Sequence, residues 1–508
     1  MNQIVIIDFG SQYSHLIARR IRESQVYAQL EPPDISPERL KAINPRGIIL
    51  SGGPASVYGD GAPHCSPEIF RLGIPVLGVC YGMQLMSHLL DGKVVRSERR
   101  EYGHALLDFG DNKLVRGLVS PQQVWMSHGD VVEQVPSGFC LVGKTKDGLA
   151  GIIVNEAQRL YGIQFHPEVV HTENGITIIR NFLFDICGCT PDWTMDDYHQ
   201  RITEEIRRTV GDRSVVCGIS GGVDSTVLGK LLHEAVGERL RCIFVDNGFL
   251  RKNEGEQVYK RLKAGLGLPV ELVDASEQFL SALQGVDDPE EKRRRIGQIF
   301  VDVFFKTAGN FDFLAQGTLY PDVIESVSTR GPSATIKTHH NRVQAILDLI
   351  AQGRVLEPLR ELYKDEVRIL GERMGLPKEM LWRQPFPGPG LAIRILGPVC
   401  REYLGRLREA DHILVDEIKR AGLYEKLWQS FAVFLPVRSV GVMGDERTYE
   451  QVIAIRAVES KDGMTADWVR LPYEILGRVS NRIINEVKGI NRVVYDLSSK
   501  PPSTIEWE

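Results

Sequence analysis

Four short apolar runs in the first 187 residues each stop on glycine or a polar residue just where a loop must begin: "QIVIIDFG", "GIILSGGP", "IPVLGVC" and "LYGIQFHPE". Helical patterns separate them. Strands this apolar need cover on both faces, so the alternation constrains the chain to an α/β architecture with function at the strands' C-terminal ends. "CGCTPDW" (187–193) interrupts the pattern and reads as a linker. A second α/β block follows, with "SVVCGISGGVDSTVLGKLLHEAV" as strand, glycine loop and helix, then "LRCIFVDNG", "LPVELVDAS" and "FDFLAQGT" as strands. In "RQPFPGPGLAIRILG" (383–397) the prolines exclude helix until Pro389. Beyond it, "SFAVFLPVRSVGVMG" and "NRVVYDLS" flank helical stretches of a smaller α+β region. The expected domains are 1–188, 193–383 and 384–508.

A length of 508 residues exceeds what one core supports and predicts two to four domains. With 43% hydrophobic and 25% charged residues the composition is that of a soluble globular protein. A net charge of -5 gives no support for coating nucleic acid. No apolar run approaches the roughly 18–20 residues that span a bilayer. The start lacks a basic segment, reaches Asp8 quickly, and reads as a first strand rather than a secretory signal. Eight cysteines are too sparse for a disulfide scaffold, and Cys187 and Cys189 are too close for a zinc pair. A reducing cytoplasm is the natural setting.

"GVCYGMQ" (78–84) presents a cysteine between glycines, after a strand and before a helix. This is the nucleophile-elbow arrangement with cysteine in place of serine. Unpaired N–H groups and the positive end of the helix favour the thiolate. On that pattern alone, a buried structural cysteine is an equally good reading. "QFHPE" adds a candidate base, His166, with Glu168 two residues on and on the same face of an extended chain. Eleven other histidines compete for the role. The amides of "LSGGPAS" (50–56) supply candidates for an oxyanion hole together with the N–H of Tyr81.

"GVCYGMQ", "SGGP" and "HPE" resemble the class I glutamine amidotransferase domain over about 190 residues. The resemblance implies hydrolysis of glutamine through a γ-glutamyl thioester. Cys80 would be the nucleophile, His166 the base and Glu168 its orienter; Gly52, Gly53 and Tyr81 would hold the oxyanion and Gln84 would help bind glutamine.

"ISGGVDSTVL" (219–228) also joins strand to helix, offering N–H groups, two serine hydroxyls and a helix N-terminus to an anion. A Walker A loop cannot be laid on it. A bare βα connection that merely favours glycine is the alternative. Asp224 would repel phosphate unless both share a Mg²⁺. The string resembles the PP-loop ATP pyrophosphatase signature, of adenine nucleotide α-hydrolase-like fold, whose members release AMP and pyrophosphate. ATP would be held by Ser220, Gly221, Gly222, Val223, Asp224, Ser225, Thr226 and Asp246, with Mg²⁺ on Asp224. Asp246, ending "CIFVDNG", is otherwise read as a turn cap.

Across its length the chain is similar to the glutamine-hydrolysing GMP synthetase family. "TLYPDVIES" (318–326), "EPLRELYKDEVR" (357–368), "PFPGPGLAIR" (385–394) and "KPPSTIEWE" (500–508) carry this resemblance beyond the two catalytic motifs. It implies that ATP adenylylates O2 of xanthosine 5′-monophosphate (XMP) and that ammonia displaces AMP to give GMP. It also implies XMP contacts at Arg293, Lys500, Ile505 and Glu506, a C-terminal dimerisation domain, a homodimer, and no nucleic acid or membrane partner. Otherwise "KRRR" (292–295) is a solvated helix face and the C-terminus an exposed tail. After "IKTHHN" (336–341) the chain departs from the family, replacing a glycine hinge with the apolar-periodic "RVQAILDLIAQGRVLEPL", which predicts a helix. Lys337 is a further expected phosphate contact.

Competing readings are weaker. Asparagine synthetases need an N-terminal cysteine where this chain has Asn2, and glutamine-dependent NAD synthetases resemble nitrilases in their glutaminase half. A tRNA-thiolating enzyme needs relay cysteines, whereas Cys217 and Cys242 read as core. A non-catalytic glutamine or nucleotide sensor would not require the intact Cys80, His166 and Glu168.

Overall fold

Isoleucine, valine and leucine fill the first strands so completely that β1 (Gln3–Ile7), β3 (Gly47–Leu50) and β4 (Val76–Val79) are almost wholly buried. Such runs fit only the interior of a sheet covered on both faces. The computed structural model describes residues 2–11, 13–327, 344–443, 446–460, 463 and 465–508. Two compact units divide the chain at Tyr198/His199, within the helix Met195–Val210.

In the first unit, β1, β3 and β4 join β2 (Tyr27–Glu31), β5 (Lys93–Phe109), β6 (Gln122–Gln134), β7 (Cys140–Thr145), β8 (Ala150–Asn155) and β9 (Leu160–Ile163). Their order is β2-β1-β3-β4-β9-β8-β7-β5-β6. The five strands from β2 to β9 run parallel and the rest antiparallel. The registers Leu50↔Gly78 and Val79↔Ile163 end β3, β4 and β9 together, so the loops that follow them emerge side by side. The segment read as a linker packs onto this unit instead. Cys187, Cys189 and Trp193 are buried, and the Trp193 ring lies 4.7 Å from Tyr27 and 5.4 Å from Tyr198.

In the second unit, β10 (Val215–Gly218), β11 (Leu240–Asp246), β12 (Val270–Asp274), β13 (Phe313–Ala315) and β14 (Val355–Leu356) form a parallel sheet of order β12-β11-β10-β13-β14. Strand β10 is therefore the point where the chain switches sides, and its following loop opens into the crevice where such sheets bind ligands. A mixed sheet of β15 (Gln429–Met443), β16 (Glu446–Glu459), β17 (Asp467–Trp468) and β18 (Ile490–Tyr495) follows. One apolar core joins Val216, Ile243 and Leu314 of the parallel sheet to Phe434 and Ile453 of the mixed one. Of the helix expected after "IKTHHN", only Gln344–Ala351 forms among the described residues; Val355 and Leu356, later in the same stretch, pair instead as β14 at the edge of the parallel sheet. Lys337 and the rest of "IKTHHN" lie outside the described residues.

Candidate functional site

Cys80 occupies a backbone conformation that L-residues rarely adopt, φ 52° and ψ −106°, at the N-cap of the helix Tyr81–Leu89. Such strain persists only where the surroundings enforce it. Here the enforcement is steric and hydrogen bonded. A β-carbon on Gly78 would lie 2.6 Å from the Gly82 carbonyl carbon, and one on Gly82 would lie 2.6 Å from Leu50 Cβ. The Cys80 amide bonds the Ile163 carbonyl at 2.8 Å, extending the β4–β9 ladder by one residue.

Strand β9 ends at Ile163, so His166 and Glu168 lie in the turn beyond it rather than along an extended strand. The turn still pairs them: His166 Nδ1 is 2.7 Å from Glu168 Oε1, and both side chains are buried. The His166 backbone is fixed at both ends, its amide on the Trp125 carbonyl (3.0 Å) and its carbonyl on Thr172 Oγ1 (2.6 Å). Tyr13 packs edge-on against the imidazole with ring centroids 5.0 Å apart. Burial opposes protonation of His166, but Glu168 and Cys80 outweigh it and raise its pKa well above the usual 6.5. His128, buried in β6, is pushed down to about 4, chiefly by burial, and stays neutral.

Gly52 adjoins this pair, since a β-carbon there would lie 3.1 Å from His166 Cε1; one on Gly53 would lie 3.2 Å from Tyr81 Cγ. The Tyr81 N–H opens a helix and so has no intrahelical acceptor. Gln84 is buried, and its amide donates to the Asp130 carbonyl (2.8 Å) and to Gln164 Oε1 (3.3 Å). Tyr13, Asp130 and Gln164 were not legible as site residues, because only the meeting of separate segments brings them to His166, Gln84 and Cys80 respectively.

In the second unit, the loop after β10 caps the helix Val223–Val236. Ser220 and Ser225 hydroxyls lie 3.1 Å apart, and Ser225 Oγ accepts from the Ser220 amide at 3.2 Å. Thr226 Oγ1 donates to the Gly222 carbonyl at 2.7 Å. Gly221 has φ 73°, and a side chain there would run into Val258. Asp224 and Val223 begin the helix; Lys364 lies 3.3 Å from Asp224 Oδ2, while Oδ1 is buried without a hydrogen-bond partner among the described residues. An orphaned carboxylate oxygen beside a phosphate-sized loop fits a hard cation held jointly with a phosphate. Asp246 behaves as the turn cap, its Oδ1 accepting from the Gly248 amide at 2.8 Å.

A cavity of about 420 Å³ adjoins the loop, lined by Gly218, Ser220, Arg293, Phe300, Phe304, Gln316, Gly317 and Thr318. Its apolar wall was partly legible: Ile296, Phe300 and Phe304 recur every fourth residue on the helix Pro289–Ala308. "KRRR" is not simply a solvated face. Lys292 is fully buried and bonds the Ile395 carbonyl (2.8 Å) and the Glu508 side chain, while Arg293 reaches the Glu508 carbonyl.

The C-terminal residues pack rather than hang free. Buried Arg394 holds Glu506 through two bonds of 3.0 and 2.8 Å and lies 3.9 Å above the Phe431 ring. Buried Arg456 donates to the carbonyls of Ser498 (2.5 Å) and Thr504 (3.1 Å). Ile505 packs against Phe431, Val433 and Ala454, and Lys500 Nζ donates to the Gly463 carbonyl at 2.8 Å.

Three family models match: glutamine amidotransferase class-I over residues 5–186, NAD synthase over 195–298, and GMP synthase C terminal domain over 416–507. The chain is similar to the glutamine-hydrolysing GMP synthase of Nostoc punctiforme, 55% identical over 516 residues and covering 99% of this chain and 95% of the relative. It is 54% identical over 512 residues to that of Brachyspira hyodysenteriae, covering 100% and 99%. The match to that of Carboxydothermus hydrogenoformans is 54% over 511 residues, covering 100% of each.

Proposed function

Because the chain belongs to the family of glutamine-hydrolysing GMP synthases, we propose that it divides GMP formation between a glutaminase centred on Cys80 and a synthetase centred on the loop 220–226. The protein makes GMP with nitrogen taken from glutamine and energy taken from ATP. The observation that carries the residue assignment is the convergence of Gly52, Cys80 and the His166–Glu168 pair at the level ends of β3, β4 and β9.

In the first site, Cys80 Sγ attacks the side-chain carbonyl carbon of glutamine. The amides of Gly52, Gly53 and Tyr81 would receive the negative charge on oxygen, and Gln84 would orient the substrate. His166, held by Glu168, gives its proton to the departing ammonia. It then takes one from the water that cleaves the γ-glutamyl thioester to glutamate.

In the second site, the loop amides with Ser220, Ser225 and Thr226 would bind the phosphates of ATP, and Asp246 would shape the turn beside the nucleoside. Asp224 would hold Mg²⁺, which supplies charge neutralisation between phosphates when bound. O2 of XMP attacks the α-phosphorus, pyrophosphate leaves, and ammonia at C2 displaces AMP. We assign XMP binding to Arg293, Lys500, Ile505 and Glu506, the last with its carboxylate oriented by Arg394. Ammonia is mostly protonated in neutral water, so releasing and using it within one protein keeps it nucleophilic.

The division into an amidotransferase domain 1–188, a synthetase domain 193–383 and a C-terminal domain 384–508 is supported by their three separate sheets. A homodimer is supported by apolar side chains exposed on the long β15–β16 ribbon, Val437, Val440, Val442 and Tyr449. A cytoplasmic setting is supported by eight unpaired thiols. Among the described residues, no helix is long and apolar enough to cross a membrane.

The test is product analysis with XMP, glutamine and Mg·ATP. AMP and pyrophosphate should form in step with GMP, and Asp224→Ala should stop the reaction with either glutamine or ammonium. ADP as product would overturn the assignment of the loop.

A further inference from the structure

Two contacts to Cys80 favour opposite protonation states of its sulfur. The Ser127 carbonyl, 3.7 Å away, can only accept, so it favours the thiol. The side chain of Gln164, 1% exposed, presents Nε2 at 3.7 Å, and an amide N–H can only donate, so it favours the thiolate. The direction of this amide is dictated from a distance. The Asp130 carbonyl accepts from Gln84 Nε2 at 2.8 Å, which turns the Gln84 amino group toward Gln164. That same nitrogen donates to Gln164 Oε1 at 3.3 Å, leaving Gln164 Nε2 as the end that faces sulfur. Backbone bonds hold the relay in place, from the Gln164 amide to the Gly151 carbonyl (3.0 Å) and from the Cys80 amide to Ile163 (2.8 Å).

We infer that Gln164 is a positioning residue for glutamine hydrolysis. It holds Cys80 Sγ and stabilises its anionic form through an amide relay whose polarity is set by the Asp130 carbonyl and passed on by Gln84. The inference rests on the reading of Cys80 as the nucleophile.

The test uses the full-length protein and two variants, Gln164→Met, which removes the donor, and Gln164→Asn, which draws it back by one methylene. The readouts are the pH midpoint of Cys80 alkylation by iodoacetamide, followed by peptide mapping, and kcat and KM for glutamine. The ionisable groups around the sulfur, His166 with Glu168 and the neutral His128 of β6, are present in both variants. For Gln164→Met the midpoint should rise by about one pH unit, a tenfold loss of thiolate below it. Its kcat should fall at least tenfold with KM for glutamine within about threefold, and Gln164→Asn should fall between it and the parent. Ammonium-driven GMP synthesis should be unchanged in both. If Gln164→Met unfolds the first unit, mapping will show label on its buried Cys65 and Cys187 as well, and Gln164→Asn then decides. A midpoint unchanged in the folded variants overturns the inference. Failure of the underlying reading is distinguishable, since Cys80→Ala would then retain glutamine-dependent synthesis.

Discussion

His166 is where burial and charge compete most directly. Burial penalises the imidazolium, yet Glu168 at 2.7 Å and the neighbouring Cys80 hold the proton more tightly than an unfolded chain would. The sign follows: this stabilisation is complete below the unfolded value of 6.5 and is lost as pH rises through the higher folded value. With His166 as the proton donor proposed above, the alkaline limb of glutamine-dependent activity should lie well above 6.5. Glu168→Gln should bring that limb down by a unit or more and lower kcat by roughly 10²–10⁴-fold, measured as a pH–rate profile. An alkaline limb that stays in place would mean Glu168 does not act through His166. His128, at about 4, should contribute no limb in the working range.

Among the elements, the elbow between β4 and the helix Tyr81–Leu89 depends most on exact residue size. Gly82→Ala would force a methyl group into Leu50, at a cost of about 2–4 kcal/mol that denaturant unfolding should register. Glutamine-dependent turnover should fall while ammonium-driven turnover survives, because the clash is confined to the first unit. This element was legible because its glycines, cysteine and apolar strand are adjacent in the chain. The loop 220–226 was legible for the same reason. Other features were not. Where β9 stops is decided by sheet pairing, so the chain turns before His166 although its sequence reads as extended. "CGCTPDW" has linker composition, but Trp193 finds Tyr27, 166 residues earlier, and is buried. Lys292 reads as solvated until the C-terminal residues close over it.

At the scale of the molecule, charge buried in the second unit ties distant segments together. Arg394, Arg456 and Lys292 are fully buried, and each is paired with a carboxylate between Asp496 and Glu508. Removing one member leaves the other charge unpaired, so Arg394→Leu should destabilise the second unit by about 3 kcal/mol in denaturant unfolding. Should Glu506 hold XMP, KM for XMP should rise by tenfold or more while the pH–rate profile of glutamine hydrolysis stays in place. An unchanged KM for XMP would remove Glu506 from that site.

The central claim is that one chain makes ammonia at Cys80 and spends it at a separate ATP-dependent site. GMP formation by Cys80→Ala, measured in parallel with glutamine and with ammonium as the nitrogen source, tests it most directly. The account predicts no detectable synthesis from glutamine and a rate within about twofold of the parent protein from ammonium. Equal loss with both sources, or retained synthesis from glutamine, would contradict it.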